Sequence, residues 1–311
     1  MPSALLFPGQ GSQHVGMGRD LASADPQVRR TFQEADEILG LELSRIMWEG
    51  PDDELVLTRN AQPAILTHSV AVFRTCHDTL GSVTFAAGHS LGEFSAWVAA
   101  GAISFADALE VVRLRGELMY EAGTRRPGAM AALLGISDED ADALCDAVSR
   151  GPDSIVVPAN LNAPGQVVIS GDEDAVQRAI DGAKDAGAKK AVRLNVSGAF
   201  HSPLMQPAVE GLRDRLSRVT FERPDFPVIS NVTAAPVEDP AEIPGLLVQQ
   251  LTMPVRWAES VGTMVESGVD RFLELGPGSV LTGLNKRNAR GVESAALEGP
   301  DAIAEFRKEP G

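Results

Sequence analysis

Residues 86–94 read Ala-Ala-Gly-His-Ser-Leu-Gly-Glu-Phe, and the residue there with chemistry to offer is Ser90, set between Gly88 and Gly92. The apolar run Val83–Ala87 precedes it and an apolar segment, 92–100, follows. Gly-x-Ser-x-Gly between a strand and a helix is the signature of a nucleophile elbow, a tight and strained turn that lifts the hydroxyl out of a sheet and crowds its neighbours. Such a turn also aims the backbone N–H of Leu91 at the place where an acyl oxygen would gather charge, with the positive end of the next helix behind it. The plain alternative is a glycine-flanked connection with an incidental serine. The strand–turn–helix context favours the nucleophile.

A serine hydroxyl needs a base, and the chain has five histidines: His14, His68, His77, His89 and His201. His89 adjoins the serine, so its side chain should point away. His68 and His77 are read within a buried helix, and His14 follows a glycine-rich turn as a candidate surface residue. His201 lies in a loop just before a helix, in Ser197-Gly-Ala-Phe-His-Ser-Pro203, and is preferred on position. The turn Gly9-Gln10-Gly11 does not fit a phosphate loop, because it lacks the Lys-Ser/Thr pair and His14 stands where a third glycine would be. Following a first strand, it can bring a second backbone N–H, that of Gln10, to the same oxyanion. Arg115, on a later helix, reads either as a solvated face residue or as a buried guanidinium gripping a carboxylate in bidentate fashion, which would make the substrate an acid.

The elements that must position these residues alternate. Strand Ser3–Phe7 is followed by helices at Pro26–Leu39, Asp52–Leu57 and Gln62–His77, then strand Val83–Ala87 and helices Gly92–Ala100 and Phe105–Tyr120. That order predicts an α/β fold with a mostly parallel sheet. From Ala129 the texture changes: strand 129–134, helix 138–149, strands 154–159 and 166–170 around an Asn162–Gly165 turn, helix 172–186 and strand 190–194. This β-α-β-β-α-β order is a split, ferredoxin-like unit. Helix 203–219, strand 228–230, helices near 243–251 and 255–267 and strand 271–275 return to the larger unit. The expected division is 1–126 with 197–296 as a discontinuous large unit, 127–196 as the inserted one, and 297–311 as a loose tail.

Composition narrows the class. With 311 residues, 44% hydrophobic and 23% charged, the chain is an ordinary globular sequence able to bury a large core. Its net charge of −16 argues against nucleic-acid or anionic-membrane partners, without excluding a local basic patch. Cys76 and Cys145 have no metal or CxxC spacing and read as small core residues. The first residues lack a signal-peptide pattern, so a cytoplasmic location is expected, and the sequons at Asn195 and Asn231 then carry no meaning.

Taken together, FPGQGSQ (7–13), QPA (62–64), GHSLGE (88–93), Arg115-Gly116 followed by LM, GAMAALLG (128–135), NAPGQVVISG (162–171), GAFH (198–201), SNVTA (230–234), QL (250–251), PVRW (254–257) and ELGPGSVLTGL (274–284) resemble the malonyl-CoA:acyl-carrier-protein transacylases and related polyketide-synthase acyltransferases. The match is colinear from about residue 3 to about 290. It implies a large α/β-hydrolase-like domain with an inserted ferredoxin-like subdomain. It makes Ser90 the nucleophile, His201 its base, the N–H groups of Leu91 and Gln10 the oxyanion hole, and Arg115 the malonyl carboxylate's partner. The resemblance also implies that His201 is oriented by the backbone carbonyl of Gln250 rather than by an acid, and that Phe200 narrows the pocket at the α-carbon, as in malonyl users. GEFSA, GAFHS, SNVTA and PVRW are closer to free-standing polyketide acyltransferases than to the fatty-acid enzyme.

The expected reaction moves a malonyl group from coenzyme A, through a serine ester, to the phosphopantetheine thiol of an acyl carrier protein, with no bound cofactor or metal and a monomeric enzyme. Carrier proteins are usually acidic, so docking would fall to local cations; Lys189, Lys190, Arg193, Lys286, Arg287 and Arg290 are the candidates, against a reading of them as ordinary solvated charges. A serine thioesterase or hydrolase would share the elbow but use water, and normally carries an acid between serine and histidine in chain order. A non-catalytic carrier-docking module would not need Ser90 and His201 together.

Overall fold

Ser3–Phe7 (β1) is buried along its whole length, as a central strand covered on both faces must be. Its neighbours in chain order are β2 (Val83–Gly88), β3 (Gly128–Leu134), β4 (Val156–Ala163), β5 (Gln166–Asp172), β6 (Lys190–Arg193), β7 (Val228–Ile229), β8 (Pro236–Val237), β9 (Arg271–Leu275) and β10 (Glu293–Leu297). The computed structural model describes residues 2–196 and 198–308; Ser197, where the large unit was expected to resume and which ends one sequon, and residues 309–311 of the expected tail lie outside the described residues.

Two sheets result, giving a mixed α/β architecture. Six strands run in the order β10-β9-β1-β2-β7-β8, parallel except for the β7–β8 edge. Alternation along β1 sends Leu5 and Phe7 into one apolar cluster and Ala4 and Leu6 into another on the opposite face. The second sheet is antiparallel, in the order β4-β5-β3-β6. It packs with the helices Asp138–Val148 and Glu173–Gly182 around its own apolar cluster, which includes Leu133, Ile136, Leu144, Val167 and Ile169. Outside both sheets, Val255 exchanges backbone hydrogen bonds with Ala159 and Leu161 of β4 and so ties the second sheet to the segment before helix Trp257–Glu266.

Several elements differ from expectation for identifiable reasons. The buried helix begins at Thr58 rather than Gln62 and encloses Pro63. The carbonyl that proline leaves free, that of Arg59, accepts from Arg113 Nη1 at 3.0 Å. The same helix stops at Cys76, so His77 is an exposed residue of a short 3-10 turn. β4 continues through Asn162 and Ala163, leaving Pro164-Gly165 as the turn. The stretch expected as one helix from Pro203 opens with a 3-10 turn, Pro203–Met205, before the helix Gln206–Leu216. Beyond 297 the chain is not a loose tail as far as residue 308. β10 completes the sheet, and helix Pro300–Phe306 buries Ile303 and Phe306, with Arg271 stacked 5.3 Å from the Phe306 ring.

Candidate active site

β1 and β2 are paired so that Phe7 lies opposite Gly88, which sets the turns that follow them side by side. A Cβ on Gly9 would stand 2.4 Å from His89 O, one on Gly88 1.9 Å from Gly92 C, and one on Gly92 2.0 Å from Phe7 O. No side chain fits at any of the three. Ser90 takes a left-handed backbone, φ 52°, and His201 does the same at φ 55°, a conformation that L-residues other than glycine adopt at a cost. Helix Gly92–Ala99 starts immediately after. Gln10 and Leu91 line one cavity with Ser90, and no hydrogen bond among the described residues takes either backbone N–H.

His201, 111 residues away in sequence, places Nε2 2.7 Å from Ser90 Oγ. Its Nδ1 lies 2.8 Å from the backbone oxygen of Gln250. A carbonyl can only accept, so Nδ1 carries the proton and Nε2 is free to receive one from the serine. Burial, and then the charge of Arg115, hold the imidazole well below its ordinary range, at about 3. It is therefore neutral, and a base, at physiological pH. The other histidines are elsewhere engaged: His89 turns away to Asn162 Oδ1 at 2.8 Å, buried His68 bonds the Glu298 carbonyl, and His14 pairs with the Glu298 carboxylate at the surface.

Arg115 is buried, not solvated. Gly116 makes this possible, because a Cβ there would lie 2.7 Å from Thr58 O, so the helix Phe105–Arg125 can approach the helix Thr58–Cys76 closely. Arg115 Nη1 donates to Gln62 Oε1 at 2.8 Å, and Nη2 donates to Gln250 Oε1 at 2.9 Å and Ser90 Oγ at 3.2 Å. Burial lowers its pKa to about 10, opposed by the charge of Glu93, so it stays cationic at neutral pH. Among the described residues no carboxylate pairs with it directly and its Nε has no partner. A buried guanidinium in that condition has strong reason to accept a carboxylate from a ligand.

An acyl transferase domain family model matches residues 4–303. A malonyl CoA-acyl carrier protein transacylase of Bacillus subtilis (strain 168) is 48% identical over 300 residues, 96% of this chain and 94% of that protein. The Escherichia coli (strain K12) protein of the same name is 45% identical, with 97% of each covered. The chain belongs to the acyl transferase family. Among solved structures, a complex of a type II PKS acyl-carrier protein with its malonyl-transacylase superposes with a TM-score of 0.95 at 44% identity, covering 99% of each chain. An acyl carrier protein S-malonyltransferase from Vibrio cholerae gives 0.94 at 44% identity, covering 98% of this chain and 99% of that one.

The acyltransferase's central cavity holds about 180 Å³ and is lined by Ser90, His201, Arg115, Phe200, Met119 and Met130 among others. Phe200 is thus in the wall. Of the basic residues singled out, Lys189 and Arg287 share a groove where β3 ends and β5 begins, and Lys286 and Arg290 share a separate one. Lys190 is exposed; Arg193 is paired with Glu173 at 3.2 Å, and Arg287 bonds Gln166. Sequence reasoning assigned no role to Gln62, Glu93 or Asn231. Glu93 carried a signal, being an acid within an otherwise apolar helix; its carboxyl is buried, which pushes it up to about 7. Asn231 carried none beyond a sequon, and it is fully buried, so no glycan can attach there. Both cysteines are buried, and burial raises the thiols to about 11 for Cys76 and about 12 for Cys145.

Proposed function

We propose that the acyltransferase transfers malonyl, by a ping-pong route, from coenzyme A to the phosphopantetheine thiol of an acyl carrier protein, for fatty-acid or polyketide synthesis. The observation that carries this reading is the buried guanidinium of Arg115 bonded to Ser90 Oγ, next to a neutral imidazole. His201 Nε2 takes the Oγ proton as Oγ attacks the thioester carbonyl, and the N–H groups of Leu91 and Gln10 receive the oxyanion. Collapse of the adduct breaks the carbon–sulfur bond, and the proton on Nε2 passes to the departing thiolate. The carrier's thiol then gives its proton to His201 and attacks the malonyl ester; as the carbon–Oγ bond breaks, Nε2 returns that proton to Ser90 Oγ.

Arg115 holds the malonyl carboxylate throughout. That pairing also removes the nearby positive charge that depresses His201, so an acid substrate strengthens its own base. The Gln250 carbonyl serves where a hydrolase would place an acid, by fixing the tautomer of His201. Phe200 limits bulk at the α-carbon.

The architecture is read as an α/β-hydrolase-like unit, 1–126 with 197–296, carrying a ferredoxin-like insert at 127–196. The groove holding Lys189 and Arg287 is the favoured docking site for an acidic carrier or for coenzyme A phosphates, with Lys190 next to Lys189 in sequence, Lys286 and Arg290 in their separate groove and Arg193 already partnered. A monomer and a cytoplasmic location are expected; among the described residues no helix is long and apolar enough to cross a membrane. The test is incubation with labelled malonyl-CoA, with and without holo carrier protein. A malonyl ester lost in Ser90→Ala, and passed to the carrier in the native protein, supports the reading. Free malonate in place of carrier-bound malonate would make the protein a thioesterase.

A further inference from the structure

Glu93 lies in the first turn of the elbow helix and is absent from the wall of the acyl cavity, yet two groups converge on one of its oxygens. Oε2 accepts from Gln250 Nε2 at 2.7 Å and from the backbone N–H of Asn231 at 3.2 Å. Those partners clamp the elbow from both sides. Ser90 N–H donates to Asn231 Oδ1 at 2.7 Å, Asn231 Nδ2 donates to Gly88 O at 2.7 Å, and Gln250 Nε2 also donates to Ser90 O at 3.0 Å. An acceptor at residue 93 has a further effect: it requires the NH₂ of Gln250 on its side, so that Oε1 must face Arg115 Nη2. Reversed, that amide would present a donor to a donor.

Resting on the malonyl-transfer reading, we propose that Glu93 is a positioning residue, whose carboxyl oxygen fixes Asn231 and the Gln250 amide so that Ser90 keeps its left-handed backbone and Arg115 stays aimed into the acyl cavity. A strained backbone persists only where its surroundings over-determine it, and this carboxyl is the point at which the two clamps meet. The role differs from ordinary core support because it acts on the choice of acyl group as well as on rate.

Rapid-quench mass spectrometry of the acyl-serine, with malonyl-CoA and acetyl-CoA, separates the two. Glu93→Leu should slow malonyl loading about 100-fold and reduce the malonyl-over-acetyl preference about tenfold or more, while Glu93→Gln, which keeps an oxygen acceptor, should restore loading to within about fivefold with the preference intact. A Glu93→Leu protein that retains the native preference, whatever its rate, overturns the proposal, as does a Gln variant as impaired as the Leu one. If Glu93→Leu does not fold, Glu93→Asp, one methylene short of both partners, must show the loss of preference, and native preference there overturns it equally. Failure of the unaltered protein to load malonyl would instead refute the function on which the inference rests.

Discussion

Replacing Arg115 by alanine is the most informative single perturbation of the site. The guanidinium is buried, and its three hydrogen bonds go to Gln62, Gln250 and Ser90. A bound carboxylate would add two charge-assisted hydrogen bonds, at about 1.5–3 kcal/mol each. Water refilling the space left by the side chain recovers part of that, so about 3–4 kcal/mol is the expected net loss, within the range seen when one partner of a buried charge pair is truncated. At about 1.4 kcal/mol per decade, kcat/KM for malonyl-CoA should fall about 10²–10³-fold. Acetyl-CoA brings no carboxylate, so its slow loading should change less than about tenfold. Arg115→Lys restores charge without the planar fork and should fall between. The assay is the rate of acyl-serine formation from each thioester by quenched intact-mass measurement, with a melting curve to control for the donors lost by Gln62 and Gln250. Equal losses for the two acyl groups would mean that Arg115 serves Ser90 and not the substrate's acid.

Other expectations follow from the same geometry. Phe200→Ser should raise methylmalonyl loading relative to malonyl at least about tenfold, since relieving one crowded methyl is worth about 1–3 kcal/mol; an unchanged ratio in a competition experiment would remove Phe200 from the specificity wall. Lys189→Glu with Arg287→Glu should raise KM for the carrier with little change in malonyl-serine formation, and salt should mimic the effect; a carrier KM indifferent to both would move docking elsewhere. Burial holds His68 at about 4 and His201 at about 3, whereas both would titrate near 6.5 when unfolded. Their contribution is complete above the unfolded value and is lost as pH falls toward the folded ones, at up to about 1.4 kcal/mol per pH unit for each. His68→Gln should therefore flatten the fall in urea stability between about pH 6 and about pH 5, and an unaltered slope would contradict the assignment.

The parts of the site that rest on glycine or on a distinctive side chain were readable from the chain. Gly88 and Gly92 announce the elbow because backbone packs where their side chains would be, and His201 stood out among five histidines by lying in a loop. Arg115 was left open between two readings, and what decides it is Gly116, whose closeness to Thr58 is a tertiary fact. The clamp of Glu93, Asn231 and Gln250 was not readable, since it joins three distant segments through amide orientations that no local pattern encodes. The closing elements were missed for a related reason: β10 and helix Pro300–Phe306 are short and weakly patterned, and their order comes from Arg271, β9 and the cluster they cover.

The twist at residue 90 sets survival of the fold against its use. A residue without a side chain would rest there at ease, so Ser90→Gly should yield an inert protein that withstands heat as well as or better than the native one. Evolution from this chain toward a merely durable molecule would begin by deleting its reagent.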